Sequence, residues 1–340
     1  MTITTRDNRI DPDLPSAGSV GRVIVISAQP NSTYDLYIAP RLSPEAMAKS
    51  VLIDPFREDI DRALPVAEGD FVIINRYVTR RVMDWLVRMR PRLAAVVYVL
   101  DDDLSAMVRD PDMPFLNRVR PAITLWHLKR LQGLVSRLLV STPALGRDFA
   151  SWGALVVPPV ADLGASDPRP LDVNQIYYFA KMHAREHAFL RSVIAALMDR
   201  HKAAHFTVTA PKGPIAAAWR SVPRVSVVDE IAYADYAGYL ASLSAGGLFL
   251  LPLMTTRLNR SRSSAKLIEA ARSGSAPLVS DHDAYAAYRA ATGAPGLPPV
   301  MDDWIARIEE RMRDPVLAMN ERDKLRAYLA DDYARRGLIV

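Results

Sequence analysis

Residues 259–281 read Asn-Arg-Ser-Arg-Ser-Ser-Ala-Lys-Leu-Ile-Glu-Ala-Ala-Arg-Ser-Gly-Ser-Ala-Pro-Leu-Val-Ser-Asp. Arg260, Arg262 and Lys266 crowd the place where a helix is expected to begin. Cations are disfavoured there, because the helix dipole presents its positive end. A bound anion would resolve the conflict, and a phosphate taken up by the free N–H groups of the first turn is the simplest one. Ser263 and Ser264 are placed to cap that turn and to add their hydroxyls to the anion. Lys266 would supply a mobile point charge and either arginine a bidentate fork. Glu269, one turn beyond Lys266, can accept hydrogen bonds from sugar hydroxyls or pair with Lys266 on the helix surface.

Two further groups have chemistry in their spacing. Asp101, Asp102 and Asp103 follow the apolar run 94–100. Three adjacent carboxylates repel one another unless they are solvated, paired or used. A strand ending in D-x-D also opens phosphatases with an aspartyl nucleophile, and Asp101 and Asp103 fit that pattern, with residues 280–283 as a second acidic motif. Helix capping and pairing with neighbouring arginines is the plainer alternative. His183, Glu186 and His187 spell H-x-x-E-H, a zinc pattern with two imidazoles one turn apart and a glutamate base. Its third ligand would have to come from elsewhere, Glu269 being the candidate, and a capping or surface role for His187 is the simpler reading.

The elements that must position these groups alternate along the chain. Short apolar runs at 22–28, 71–75, 94–100, 138–141 and 155–157 read as strands, with helical patterns at 79–90 and 114–133 between them. Residues 161–174 are rich in Pro, Asp, Gly and Ser and read as a linker. A second series follows, with strands at 175–179, 205–210, 224–228, 247–253 and 276–280 and helices at 185–200, 233–242 and 263–273. The closing segment 302–336 is helical, with a charged face. Such alternation predicts an α/β protein with two doubly wound parallel sheets. Ligands bind beyond the carboxyl ends of strands in such sheets. The expected division is an N-terminal domain over 1–165 and a C-terminal one over 170–316, with a last helix at about 317–340 packing back on the first. Trp126 and Trp304 are expected in packing.

Composition narrows the class. The chain has 340 residues, half of them hydrophobic, and no cysteine, which excludes disulfides and thiolate metal sites. Residues 1–19 contain no apolar stretch resembling a secretory signal, and no apolar run matches a membrane span, so a cytoplasmic location is expected. The net charge is +5 and unevenly spread: between Arg76 and Asp148, 13 Lys and Arg face 7 Asp. That surplus suits a phosphorylated substrate or an anionic lipid surface, the latter placing the protein peripherally at the inner membrane face, or else it is simply a solvated arginine-rich face. No aromatic-interleaved basic motif accompanies it, so nucleic acid is not an expected partner.

With its preceding Leu-Pro-Leu, the stretch 259–281 resembles the donor-site segment of bacterial GT-B glycosyltransferases. Residues 176–187, Ile-Tyr-Tyr-Phe-Ala-Lys-Met-His-Ala-Arg-Glu-His, are similar to the first strand, loop and helix of that family's C-terminal domain. Val-Val-Tyr-Val-Leu-Asp-Asp-Asp-Leu resembles a segment of the N-terminal domain in a subset of these enzymes. The resemblance implies two Rossmann-like domains facing a cleft, with the acceptor on the first and a nucleotide sugar on the second. It implies Lys181, and next to it Arg185, as holders of the donor diphosphate, and His183 as a residue directed at the reacting centre. Arg260, Ser263, Ser264 and Lys266 would complete the phosphate site, and Glu269 would grip the ribose or sugar. Asp102 and Asp103 would lie on the acceptor side. An additional glutamate of the family is replaced here by Ser261, and a frequent loop glycine by Ala180. The implied activity moves a sugar from a nucleotide-activated donor to a glycan or lipid-linked acceptor, in cell-surface polysaccharide or glycoconjugate synthesis. It would retain anomeric configuration and need no metal or other cofactor, fixed cations serving instead. The alternatives are an inactive GT-B-like binding module, or a metal-dependent hydrolase or phosphatase using His183, Glu186 and His187 or Asp101 and Asp103.

Overall fold

The computed structural model describes residues 9–63, 67–164, 169–180 and 183–340. The chain forms two compact units. The first comprises Met1–Ala161, Ser261–Ser263 and Asp332–Val340, and the second comprises Asp162–Arg260 and Ser264–Asp331.

The first unit is built on a parallel sheet of β1 (Val23–Ile26), β2 (Ser50–Ile53), β3 (Asp70–Asn75), β4 (Leu93–Leu100), β5 (Arg137–Val140) and β6 (Leu155–Val156). Helices α1 (Pro44–Ala48), α2 (Ile60–Ala63), α3 (Arg80–Met89), α4 (Leu104–Arg109), α5 (Phe115–Gln132) and α6 (Pro143–Asp148) connect them. The strand order is β2-β1-β3-β4-β5-β6. Strands β1 and β3 are buried throughout. Their continuous Val/Ile runs are what a parallel strand covered on both faces requires. Each crossover adds a helix, and the order reverses between β1 and β3.

The second unit carries β7 (Leu171–Phe179), β8 (His205–Thr209), β9 (Val225–Val228), β10 (Gly246–Leu251) and β11 (Ala276–Val279), in the parallel order β11-β10-β7-β8-β9. Its helices are α7 (Ala184–Arg200), α8 (Pro214–Arg220), α9 (Tyr233–Ser242), α10 (Ala265–Arg272), α11 (Ala286–Thr292), α12 (Met301–Arg313) and α13 (Pro315–Ala334). Leu190, Val193, Ile194 and Leu197 of α7 recur at helical spacing and are fully buried in a core with Ile176, Phe206 and Leu248. A Cβ at Gly247 would lie 2.2 Å from the Gln175 carbonyl oxygen, so only glycine lets β10 lie this close to β7. The order reverses between β7 and β10, and the loops leaving these two strands diverge there.

The two-sheet α/β architecture is the expected one. Three local readings change. Strand β2 and helix α8 were not anticipated, β2 being a four-residue strand at the sheet edge whose apolar run is only Val51–Ile53. Strand β7 begins at Leu171, inside the stretch read as linker, because Asp172 and Asn174 sit at partly exposed positions of its first half. The C-terminal helical segment is two helices, since Pro315 lacks the N–H that would continue α12 and instead opens α13. Trp304 is buried as expected, whereas Trp126 is 86% exposed. Among the described residues no helix is long and apolar enough to cross a membrane.

Candidate functional site

The order reversal of the second sheet is where its polar side chains converge. Phe179 ends β7, and its carbonyl oxygen accepts a hydrogen bond of 2.6 Å from Lys266 Nζ on α10. The same ammonium donates to Glu269 Oε2 at 2.7 Å, one helical turn on. Tyr236, from α9, donates its hydroxyl to that carboxylate oxygen at 2.5 Å. Burial and the Glu269 charge raise the Tyr236 pKa well above the usual phenol value, so the hydroxyl stays protonated and keeps donating. Lys266 also lies 5.9 Å from the centroid of the Tyr236 ring. Both members of the Lys266–Glu269 pair are partly open to solvent, at 33% and 20% exposure. The site is therefore a reachable cation and a reachable carboxylate, held at fixed spacing beside the end of β7.

The loop between β10 and α10 is tied down from α7. Glu186, in the first turn of α7, is buried and accepts from Met254 N–H at 3.0 Å and from Asn259 Nδ2 at 2.6 Å. Asn259 Nδ2 also donates to the Met254 carbonyl at 2.8 Å. His183 sits at the N-cap of α7, with Nδ1 3.7 Å from Glu186 Oε2. Burial alone would raise the Glu186 pKa, but His183 and the Met254 N–H outweigh it and bring it down to about 2.

Several expected roles are redrawn by these contacts. Ser264 is the N-cap residue of α10, yet its side chain makes no capping bond, and Ser263 Oγ accepts from Tyr37 Oη at 2.6 Å. Neither hydroxyl is used as the helix cap foreseen. Arg262 is not left facing the helix end, because Nη1 donates to Asp102 at 2.9 Å. The cations that pointed to a missing anion are thus partly neutralised by Asp102 and Glu269. Arg260 and Arg185 are exposed. Lys181 lies outside the described residues.

The acidic trio is built into the first unit. Asp101 accepts from Thr33 Oγ1 at 2.6 Å and from Arg76 Nε at 2.5 Å, and Arg76 Nη2 closes a second bond to it. Burial opposes ionisation of Asp101, but the Arg76 guanidinium and the Thr33 hydroxyl hold its pKa below the ordinary carboxylate value. Asp102 is buried between Arg76 at 3.3 Å and Arg262 at 2.9 Å. Asp103 caps α4, accepting from Ala106 N–H at 2.9 Å, and its own N–H donates to Ser261 Oγ at 3.2 Å. Asp101 and Asp103 therefore serve as ion-pair partner and helix cap, which removes the aspartyl-nucleophile reading. The capping and pairing alternative accounts for all three carboxylates.

The zinc pattern fails on geometry. His187 is buried, with Nδ1 accepting from Trp219 Nε1 at 3.0 Å and Nε2 donating to the Ala180 carbonyl at 3.1 Å. Both ring nitrogens are engaged by protein groups, so His187 has no lone pair for a metal. Among the described residues no group of three or more His, Asp or Glu converges as a metal site.

Four contributors escaped the sequence reading: Tyr236, Asn259, Arg76 and the Phe179 carbonyl. Tyr236 is 33 residues from Glu269 and Asn259 is 73 from Glu186, distances no local pattern reports. The one available signal was Arg76, an arginine directly after an apolar strand, found at φ 57° in the left-handed region.

No family model matches the chain, and no curated protein matches it. Solved structures do. An alpha-glucosyltransferase (AGT) in complex with UDP aligns with a TM-score of 0.59 at 12% identity, covering 93% of this chain and 96% of that one. TarM from S. aureus, in complex with fondaparinux, alpha-GlcNAc-glycerol and UDP, aligns with a TM-score of 0.57 at 11% identity, over 81% of this chain. The alignment covers 55% of TarM, so the chain spans about half the length of that protein. The pneumococcal O-GlcNAc transferase GtfA, in complex with UDP and GlcNAc, aligns with a TM-score of 0.50 at 12% identity, over 82% of this chain and 56% of that one. The fold is GT-B. Its two Rossmann-like units are the α/β class expected, and identities this low speak for the fold alone.

Proposed function

We propose that this protein is a glycosyltransferase that takes a nucleotide sugar, with UDP as its nucleotide, and transfers the sugar to a glycan or lipid-linked acceptor. The observation that carries this is the Lys266–Glu269 pair at the order reversal of the second sheet, within a fold whose solved examples include UDP complexes. Lys266 and Arg185, together with Lys181, would hold the diphosphate. Glu269, steadied by Tyr236, would accept hydrogen bonds from the ribose or sugar hydroxyls. In the reaction the bond between the anomeric carbon and the diphosphate oxygen breaks, and the acceptor hydroxyl oxygen bonds to that carbon and releases its proton. Positive charge fixed near the departing UDP stabilises the negative charge it gains. On this reading the fixed cations suffice without a divalent metal, and turnover should survive a chelator.

The test is titration calorimetry with UDP, followed by product analysis with a panel of UDP-sugars. Lys266→Met removes a charge-assisted contact worth about 1.5–3 kcal/mol, so UDP affinity should fall about 10- to 150-fold. Glu269→Gln should weaken UDP-sugar binding and spare the fold. Unchanged affinities in both variants would refute the site, and UDP binding without turnover of any sugar would leave a binding module instead.

A further inference from the structure

Helix α5 is apolar on two faces, and only one of them is explained by packing. Pro121, Thr124 and Leu131 are buried against the first unit. On another face Phe115 is 77% exposed, Leu116 80% and Trp126 86%, and Val119 and Ile123 are also exposed. At 100° per residue these five side chains fall within an arc of about 100°, forming one continuous stripe along the helix. The helix runs 18 residues, or about 27 Å at 1.5 Å per residue. A stripe that includes an almost fully exposed tryptophan and phenylalanine is far from the scattered single apolar residues of an ordinary surface.

The charges that α5 itself carries beside the stripe are all of one sign. Helix α5 contains Arg118, Arg120, Lys129 and Arg130 and no acidic residue. In the same projection Arg118 and Lys129 border one side of the stripe and Arg120 the other, with Arg130 at its C-terminal end. Arg120 lies over the Phe56 ring at 4.0 Å, and Arg118 donates to the carbonyls of Met113 and Pro111, partners that carry no charge. Arg130 has a carboxylate near, Asp84 at 3.4 Å, but both side chains are about half exposed.

We infer that this face of α5 rests on an anionic lipid surface. An interfacial helix has this composition: large apolar and aromatic side chains on one face, with Lys and Arg beside them to meet headgroup phosphates. Snorkelling arginines and lysines can keep their charge at the headgroups while their stems lie along the apolar phase. A second copy of the chain fits less well. Two α5 faces meeting across a two-fold axis would set one row of cations against another. The inference does not depend on the glycosyltransferase reading.

The test is co-sedimentation of the purified protein with vesicles of phosphatidylcholine alone or with phosphatidylglycerol added. Binding is expected only to the anionic vesicles and should fall with added salt. Trp126 emission should shift to the blue on binding, and the shift should vanish in Trp126→Phe while sedimentation persists. The Lys129→Gln, Arg130→Gln double variant should bind about 30-fold more weakly, at about fivefold per cation. Leu116→Ser with Trp126→Ser should abolish binding, and these exposed changes should leave the melting temperature unaltered. No binding to anionic vesicles, or binding unaffected by the double serine variant, would overturn the inference. So would a dimer in light scattering that the same serine variant dissolves.

Discussion

Replacing Glu186 with glutamine tests how the loop between β10 and α10 is held. The carboxylate is 3% exposed and accepts from Met254 N–H and Asn259 Nδ2, so its charge is shared with two fixed donors. Burial alone would raise its pKa, but His183 first and then the Met254 N–H bring it from an ordinary 4.5 down to about 2. Each unit corresponds to about 1.4 kcal/mol, which makes the ionised carboxylate worth about 3 kcal/mol to the fold. The unfolded chain takes up this proton near pH 4.5 and the folded chain only near pH 2. The stabilisation is therefore complete above the first value and is lost as pH falls through the second. Between about pH 6 and about pH 3 roughly 2 kcal/mol of it should disappear. Urea denaturation of the wild type and of Glu186→Gln at both pH values measures this directly. The wild type should be the more stable near neutrality, with the gap narrowing by about 2 kcal/mol in acid. Exchange of the Met254 backbone N–H and of the Asn259 side-chain amide should be faster in the variant, because a neutral amide holds these donors less firmly. Parallel stability curves for the two proteins would refute the reasoning, since a carboxylate with no preferred charge state contributes no pH dependence.

Other perturbations follow from the same contacts. His187 is buried as the neutral imidazole and its pKa drops to about 4, burial being the largest cause. Its contribution is complete above the ordinary 6.5 and is lost as pH falls towards 4, so His187→Leu should flatten the wild type's stability loss in that window when both are titrated. Arg76→Met would leave Asp101 and Asp102 buried with a major partner gone, and should cost about 3–5 kcal/mol in denaturation experiments. A loss below 1 kcal/mol there would show that the acidic trio does not depend on Arg76.

The α/β class was legible because fully buried parallel strands must be continuous apolar runs, and their crossover helices must show 3.6-residue periodicity. The Lys266–Glu269 pair was legible for the same reason: three residues apart on a helix means one face. Local pattern misled where a local feature had a distant answer. The cations at the start of α10 looked unmatched, yet Arg262 finds Asp102, 160 residues away. The H-x-x-E-H spacing looked like a metal site, yet Trp219 and the Ala180 carbonyl occupy both nitrogens of His187.

What the chain's own order of residues determined was the alternation of elements, the buried runs of β1, β3 and β10, and which polar groups share a helix turn. Only the tertiary structure decided the partners. Strand crossovers bring α9 beside α10 and the β7 carbonyl end beside Lys266, and those neighbours settle whether a charge is spent on the protein or offered to a ligand. The physical reason is range. Backbone periodicity acts over a few residues, whereas burial, desolvation and ion pairing depend on groups brought together from far apart in the chain.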